Sequence, residues 1–173
     1  VIADDATASA ETLARSGRHA EAARSYEAQA KRLFRARDTR LTLLAAREYL
    51  AAGQTADVQR MLDKVGDRAG GDDAILLARI KAEMALASGD GEAALAALGG
   101  IPKPWPAPLE TELLLLEAQA DFLSGRMLDG IHALEQRGRL LGATDARDVN
   151  NRLLLDALQS SGATAAVPPG ATD

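Results

Sequence analysis

The side chains from which catalytic and metal centres are most often built are scarce in this sequence. It has 2 histidines and no cysteine, so thiol catalysis, disulfides and thiolate metal sites are excluded within it. His19 follows a glycine turn, and His132 falls at a position that reads as solvent-facing. A zinc-type site needs three or four converging ligands, and no spacing of His, Asp and Glu here offers them. The paired acids Asp4-Asp5 and Asp72-Asp73 stand where helices are expected to start and complement the helix dipole there. The stretch "SGDGEAA" (88–94) lacks the alternating oxygen ligands of a calcium loop. It also lacks the strand and lysine of a phosphate-binding loop, and reads as a turn. No catalytic residue, cofactor site or metal site is expected.

Three polar or unusual features could serve binding instead. "KRLFRARDTR" (31–40) sets Lys31, Arg32, Arg35, Arg37 and Arg40 against the single Asp38 and could meet an acidic surface, or be a solvated helix end. "GGIPKPWPAPLE" (99–110) carries four of the 6 prolines and the only tryptophan. Alternate prolines at 102, 104, 106 and 108 force extended backbone, which suits either a ligand for aromatic grooves or a break between helices. The break is the reading preferred here, because Pro106 and Pro108 fit a helix start and Trp105 is expected to fold back over Leu98, Leu109 and Leu113. Finally, Arg47, Glu48, Arg79, Glu83 and Glu117 could line a groove as polar contacts, or form solvated helix faces.

The elements that must position these residues follow from composition and repetition. Of the 173 residues 47% are apolar, mostly Ala and Leu with few aromatic or β-branched residues, which favours helix over sheet. A net charge of −5 argues against a general nucleic-acid or anionic-membrane binder. The longest purely apolar or glycine run, Ala93 to Ile101, is far too short to span a bilayer. Gly17, Gly53, Gly89 and Gly125 stand 36 residues apart, and Gly162 follows at 37. Aligned on the first four, seven positions before comes Ala10, Ala46, Ala82 and Ala118. Three before comes Ala14, Leu50, Leu86 and Phe122; five after comes Ala22, Val58, Ala94 and Gly130; nine after comes Tyr26, Leu62, Leu98 and Leu134. Small residues on both sides of a glycine turn let two antiparallel helices approach, and a larger one a turn further on fills the space. A period in this range is the signature of stacked helical hairpins.

The predicted fold is therefore all-α: about four helical-hairpin repeats and a terminal helix, in an elongated superhelical stack. The pairs are predicted at 2–16 and 18–37, 38–52 and 55–65, 72–88 and 91–98, and 107–124 and 127–141, with a last helix over 144–161. Asp38, Asp72 and Thr144 are the expected N-caps. A helical-repeat domain is expected over 1–161, and the Pro- and Gly-containing stretch 162–173 reads as a linker toward a further domain. The initial Val1 reads as the start of a mature form or of an excised segment.

The pattern resembles tetratricopeptide repeats, although these repeats run two residues longer and lack the usual closing proline and leading tryptophan. A more specific resemblance lies in "LLGATDARDVNNRLLLDALQSS" (140–161). It is similar to the end of the N-terminal domain of the LpoA family, outer-membrane lipoproteins that activate a class A penicillin-binding protein. Leu140, Leu141 and Gly142 match the family's turn; Asn150, Ala157 and Leu158 match its last helix, and Leu155 replaces a frequent aromatic. "LLAAREYLAAGQTADVQRML" (43–62) and "LLEAQADFLSGRMLDGIHALEQ" (115–136) look like the family's hairpins with glycine turns. The resemblance implies a lipidated cysteine upstream, a larger two-lobed domain downstream, and a periplasmic location anchored to the outer membrane. It implies a non-enzymatic spacer and docking arm whose partner is the penicillin-binding protein, mainly through the downstream domain, with peptidoglycan as a further contact. The rival expectation is a tetratricopeptide-like adaptor that grips a peptide or protein in its concave face.

Overall fold

The computed structural model describes residues 2–31, 36–142 and 145–160. Every α-helix or strand position among them is α-helix: α1 (Ile2–Arg15), α2 (His19–Ala30), α3 (Ala36–Ala51), α4 (Thr55–Val65), α5 (Asp72–Ala87), α6 (Gly91–Gly99), α7 (Ala107–Leu123), α8 (Met127–Leu140) and α9 (Asp145–Ser160). A single 3₁₀ turn, Gly66–Arg68, follows α4. The fold is all-α, as the Ala- and Leu-rich composition predicts. The chain divides into two compact units, Val1–Met84 and Ala85–Asp173.

In the first unit α1 packs on α2, α2 on α3, and α3 on α4. Their core joins Ala10, Tyr26, Leu43, Ala46, Val58, Met61 and Val65 to Ile80 of α5, and all of these are buried. In the second unit α6 packs on α7, α7 on α8, and α8 on α9. Leu98, Leu113, Leu114, Ala118 and Leu134 are buried there.

Four turns join helices by the same device. Gly17, Gly53, Gly89 and Gly125 sit at φ of 76°, 72°, 77° and 73°, which side chains disfavour and glycine adopts freely. Each glycine N–H donates to the carbonyl three residues back, and the next N–H donates five back: Gly53 to Leu50 at 2.9 Å and Gln54 to Tyr49 at 2.9 Å, Gly125 to Phe122 at 3.1 Å and Arg126 to Asp121 at 2.8 Å. This is the Schellman pairing, which satisfies carbonyls left open at a helix C-terminus. The small column before the glycines, Ala10, Ala46, Ala82 and Ala118, is wholly buried, and Ala22, Val58 and Ala94 after them are too. Gly130 completes the second column for a visible reason: a Cβ there would lie 2.6 Å from Cδ1 of Phe122. Gly91 is as tight, and against backbone, since a Cβ would meet the Ala120 carbonyl oxygen at 2.5 Å.

Three local expectations need correction. α2 ends at Ala30 rather than Arg37, and Ala36 to Asp38 already belong to α3. Asp38 is therefore inside α3 instead of capping it, and its carbonyl accepts from the Thr42 hydroxyl at 2.7 Å. Asp72 is the first residue of α5, behind Gly71 at φ 56°, so its charge lies in the first turn and it does not cap. Thr144 and the stretch 162–173 lie outside the described residues. Asp90 does cap, accepting from the Ala93 N–H at 2.9 Å at the start of α6.

α9 is fastened by a polar link. Asn150 is fully buried; its amide donates to the Leu134 carbonyl at 3.0 Å and accepts from Arg137 at 2.8 Å. Arg137 also donates to the Thr111 carbonyl of α7 at 2.8 Å, and burial pushes its guanidinium below its ordinary pKa. Val149, Leu153 and Leu155 of α9 remain exposed.

Candidate functional site

Two polar assemblies stand out, one in each unit. In the first, the carboxylate of Glu27 on α2 is buried and fully engaged. Arg60 of α4 grips both its oxygens, at 2.6 and 3.1 Å, and Lys64 one turn later donates at 3.1 Å. The Tyr49 hydroxyl of α3 donates at 2.9 Å, and Lys31 stands at 3.4 Å. The Arg60 guanidinium beside it, with Lys64 and Tyr49, holds the Glu27 carboxyl well below the usual carboxylate range despite burial. Arg60 also pairs with Asp57 at 2.7 Å and lies 5.8 Å above the centre of the Tyr49 ring. The cluster ties three helices together and leaves its acid no free lone pair of consequence.

The second assembly is a pocket of about 440 Å³ within the second unit, lined by Leu95, Lys103, Glu117, Asp121, Arg126, Asp129, His132, Ala133 and Gln136. Two of its cations are held on the rim. Lys103 donates to Glu117 at 2.9 Å and stands 4.4 Å from the centre of the Trp105 ring. Arg126 bonds both oxygens of Glu92, at 3.0 and 2.9 Å. Asp121 of α7 is different. It is only 5% exposed, and among the described residues no hydrogen bond or ion pair reaches its carboxylate. Burial, reinforced by the Glu117 and Asp129 carboxylates, pushes its pKa up to about 6 against the opposing pull of Arg126 and Lys103.

The residues singled out from sequence fall into place unevenly. His19 and Glu48 meet, Nδ1 to Oε2 at 2.8 Å, and Arg47 donates to the other Glu48 oxygen at 2.9 Å. Arg79 and Glu83 pair along α5 at 2.9 Å. Glu117 reaches the pocket rim in the second unit, and His132 lines the same pocket. In the basic stretch, Lys31 pairs with Glu27 and Arg40 with Asp73 at 3.2 Å, whereas Arg32 and Arg35 lie outside the described residues, as does the Arg37 side chain. Trp105 is buried, 7% exposed, between Ile101 and the Pro106 that precedes α7, with a cis bond at Lys103–Pro104. Its segment contributes Lys103 to the pocket rather than the indole.

Asp121 and the Glu27 cluster are what sequence reasoning missed. No local motif announces either, because the partners come from three helices and a loop. Among the described residues no three His, Asp or Glu side chains are grouped to hold a metal ion, and no helix is long and apolar enough to cross a membrane. Against known protein families, curated proteins and solved structures, the chain has no significant match.

Proposed function

We propose that this chain is a non-catalytic, tetratricopeptide-like repeat domain whose hairpins stack into an elongated superhelix. Its role is that of spacer and docking arm in an outer-membrane lipoprotein that activates a class A penicillin-binding protein in the periplasm. The observation that carries the repeat reading is the fourfold recurrence of one turn. Each glycine at positive φ, with its Schellman pairing, has a wholly buried alanine seven residues before it. Such units add reach one hairpin at a time while burying their apolar faces on their neighbours. The lipoprotein assignment rests on the last helix, where Asn150 and Ala157 match the resemblance and are the two buried residues of α9. The parent gene tests it directly: a lipidated cysteine upstream and an α/β pattern downstream are expected, and a cytoplasmic start sinks the assignment. Capture of a class A synthase with and without this segment then tests docking, and equal capture with equal activation removes that role. A second reading, a peptide-gripping adaptor, is favoured by one observation: the pocket around Asp121 is open, polar and charged.

A further inference from the structure

Set two 36-residue periods apart, the two assemblies occupy one register of the sequence. Asp121, Asp129, His132 and Gln136 of the pocket stand 72 residues after Tyr49, Asp57, Arg60 and Lys64 of the cluster, and Lys103 stands 72 after Lys31. The residue 72 after Glu27 is Gly99, which has no side chain to offer. In the first unit the lining donates and the chain supplies its own acid as the occupant. In the second unit the lining has changed sign. A tyrosine hydroxyl becomes a carboxylate, the arginine becomes a histidine, the lysine becomes an amide, and among the described residues no side chain bonds the new carboxylate.

We propose that the pocket of the second unit binds a primary ammonium group, carried by a small amine or by a lysine side chain, with Asp121 as its counter-ion. Asp121 is buried, has no hydrogen-bond or ion-pair partner among the described residues, and lines a volume of about 440 Å³, far more than one water needs. A buried carboxylate without a donor is costly, and an entering cation removes that cost. An ammonium fits better than a guanidinium. A compact ammonium head suits a single buried acid, whereas the planar fork of a guanidinium is matched to two-oxygen pairing of the kind Arg60 makes with Glu27. A metal ion is a poorer occupant, since no three His, Asp or Glu among the described residues are grouped to ligate one. Lys103 and Arg126 line the same pocket and attract Asp121 from a distance, but their ion pairs are made with Glu117 and Glu92. The inference deepens the adaptor reading, and because its test uses free ligands it fails separately from any failure to capture a protein partner.

The test is titration of ¹⁵N-labelled protein with Nα-acetyl-lysine amide, with cadaverine, and with the neutral isostere Nα-acetyl-norleucine amide. Saturable shifts are expected at Asp121, Asp129, His132 and Gln136 with the two amines and none with norleucine amide; comparing the amines tells a peptide lysine from a free diamine as the better source. Asp121→Asn should weaken the amines about ten- to a hundredfold, the range for loss of one hydrogen bond to a charged group. Gln136→Lys, which restores the register of Lys64, should keep the fold, supply an internal ammonium and abolish binding. Unchanged affinity in Asp121→Asn, equal binding of norleucine amide, or no shifts with the wild-type chain each overturn the proposal. If Asp121→Asn fails to fold, Gln136→Lys decides: retained binding in that variant overturns it.

Discussion

Glu27 and Asp121 are both acids on buried residues, 9% and 5% exposed, yet their surroundings drive them in opposite directions. Around Glu27 an arginine, two lysines and a tyrosine hydroxyl make ionisation favourable, so the acid is a structural tie. Around Asp121 burial and two neighbouring carboxylates outweigh the pull of Arg126 and Lys103 and make ionisation less favourable than usual, and among the described residues no donor bonds it. The difference teaches that burial alone does not assign a role to a charged group. What decides is whether the chain supplies the counter-ion: Arg60 and Lys64 bond Glu27, whereas Lys103 and Arg126 pair with Glu117 and Glu92.

The contrast can be broken at several points. The largest effect is expected from Trp105→Ala, which removes a buried indole beneath Lys103 and should lower stability by about 4 kcal/mol, read by urea denaturation. If Trp105 instead served recognition, stability would hold while partner affinity fell. Next, Glu27→Ala leaves Arg60, Lys64 and Tyr49 without their shared acceptor and should cost about 2–3 kcal/mol by the same measurement. Asp121→Asn should do the reverse and stabilise the free chain at neutral pH by about 2 kcal/mol, by removing an unpaired buried charge. Lys103→Met keeps a stem over Trp105 but drops a half-exposed ion pair, and should change stability by less than about 1 kcal/mol.

The pH profile sharpens the same comparison. Glu27 has a folded-state pKa depressed below its ordinary 4.5, so its contribution is complete above that value and is lost as pH falls further. Asp121 has one raised from 3.8 to about 6, so its favourable contribution is complete below 3.8 and is lost as pH rises through 6. The advantage of Asp121→Asn over wild type should therefore grow between these two values and level off above them. The other charged and titratable groups facing this pocket are Glu117, Asp129, Lys103, Arg126 and His132, and both proteins retain them. A constant difference across that window would show that Asp121 is ionised throughout.

Much of the helical frame was legible because its signals are local. Helix stops at Gly17, Gly53, Gly89 and Gly125 need only a glycine and the periodicity around it, and α4 and α6 to α8 lie within a residue or two of their expected bounds. The N-caps were less legible: Asp38 and Asp72 have the right chemistry, but α3 and Gly71 place them inside their helices. The assemblies were legible least. Arg60 and His132 share a column that reads as solvent-facing, and both remain largely exposed, His132 on the pocket wall and Arg60 half so. Nothing within one hairpin says that Glu27, 33 residues before Arg60, will be its partner.

Asn150 has a consequence for how α9 can leave. Greasy contacts tolerate sliding, but a one-residue slip turns a helix by about 100° and would swing the amide away from both Leu134 and Arg137. α9 therefore detaches as a latch does, whole and from a single position, instead of creeping along its neighbour.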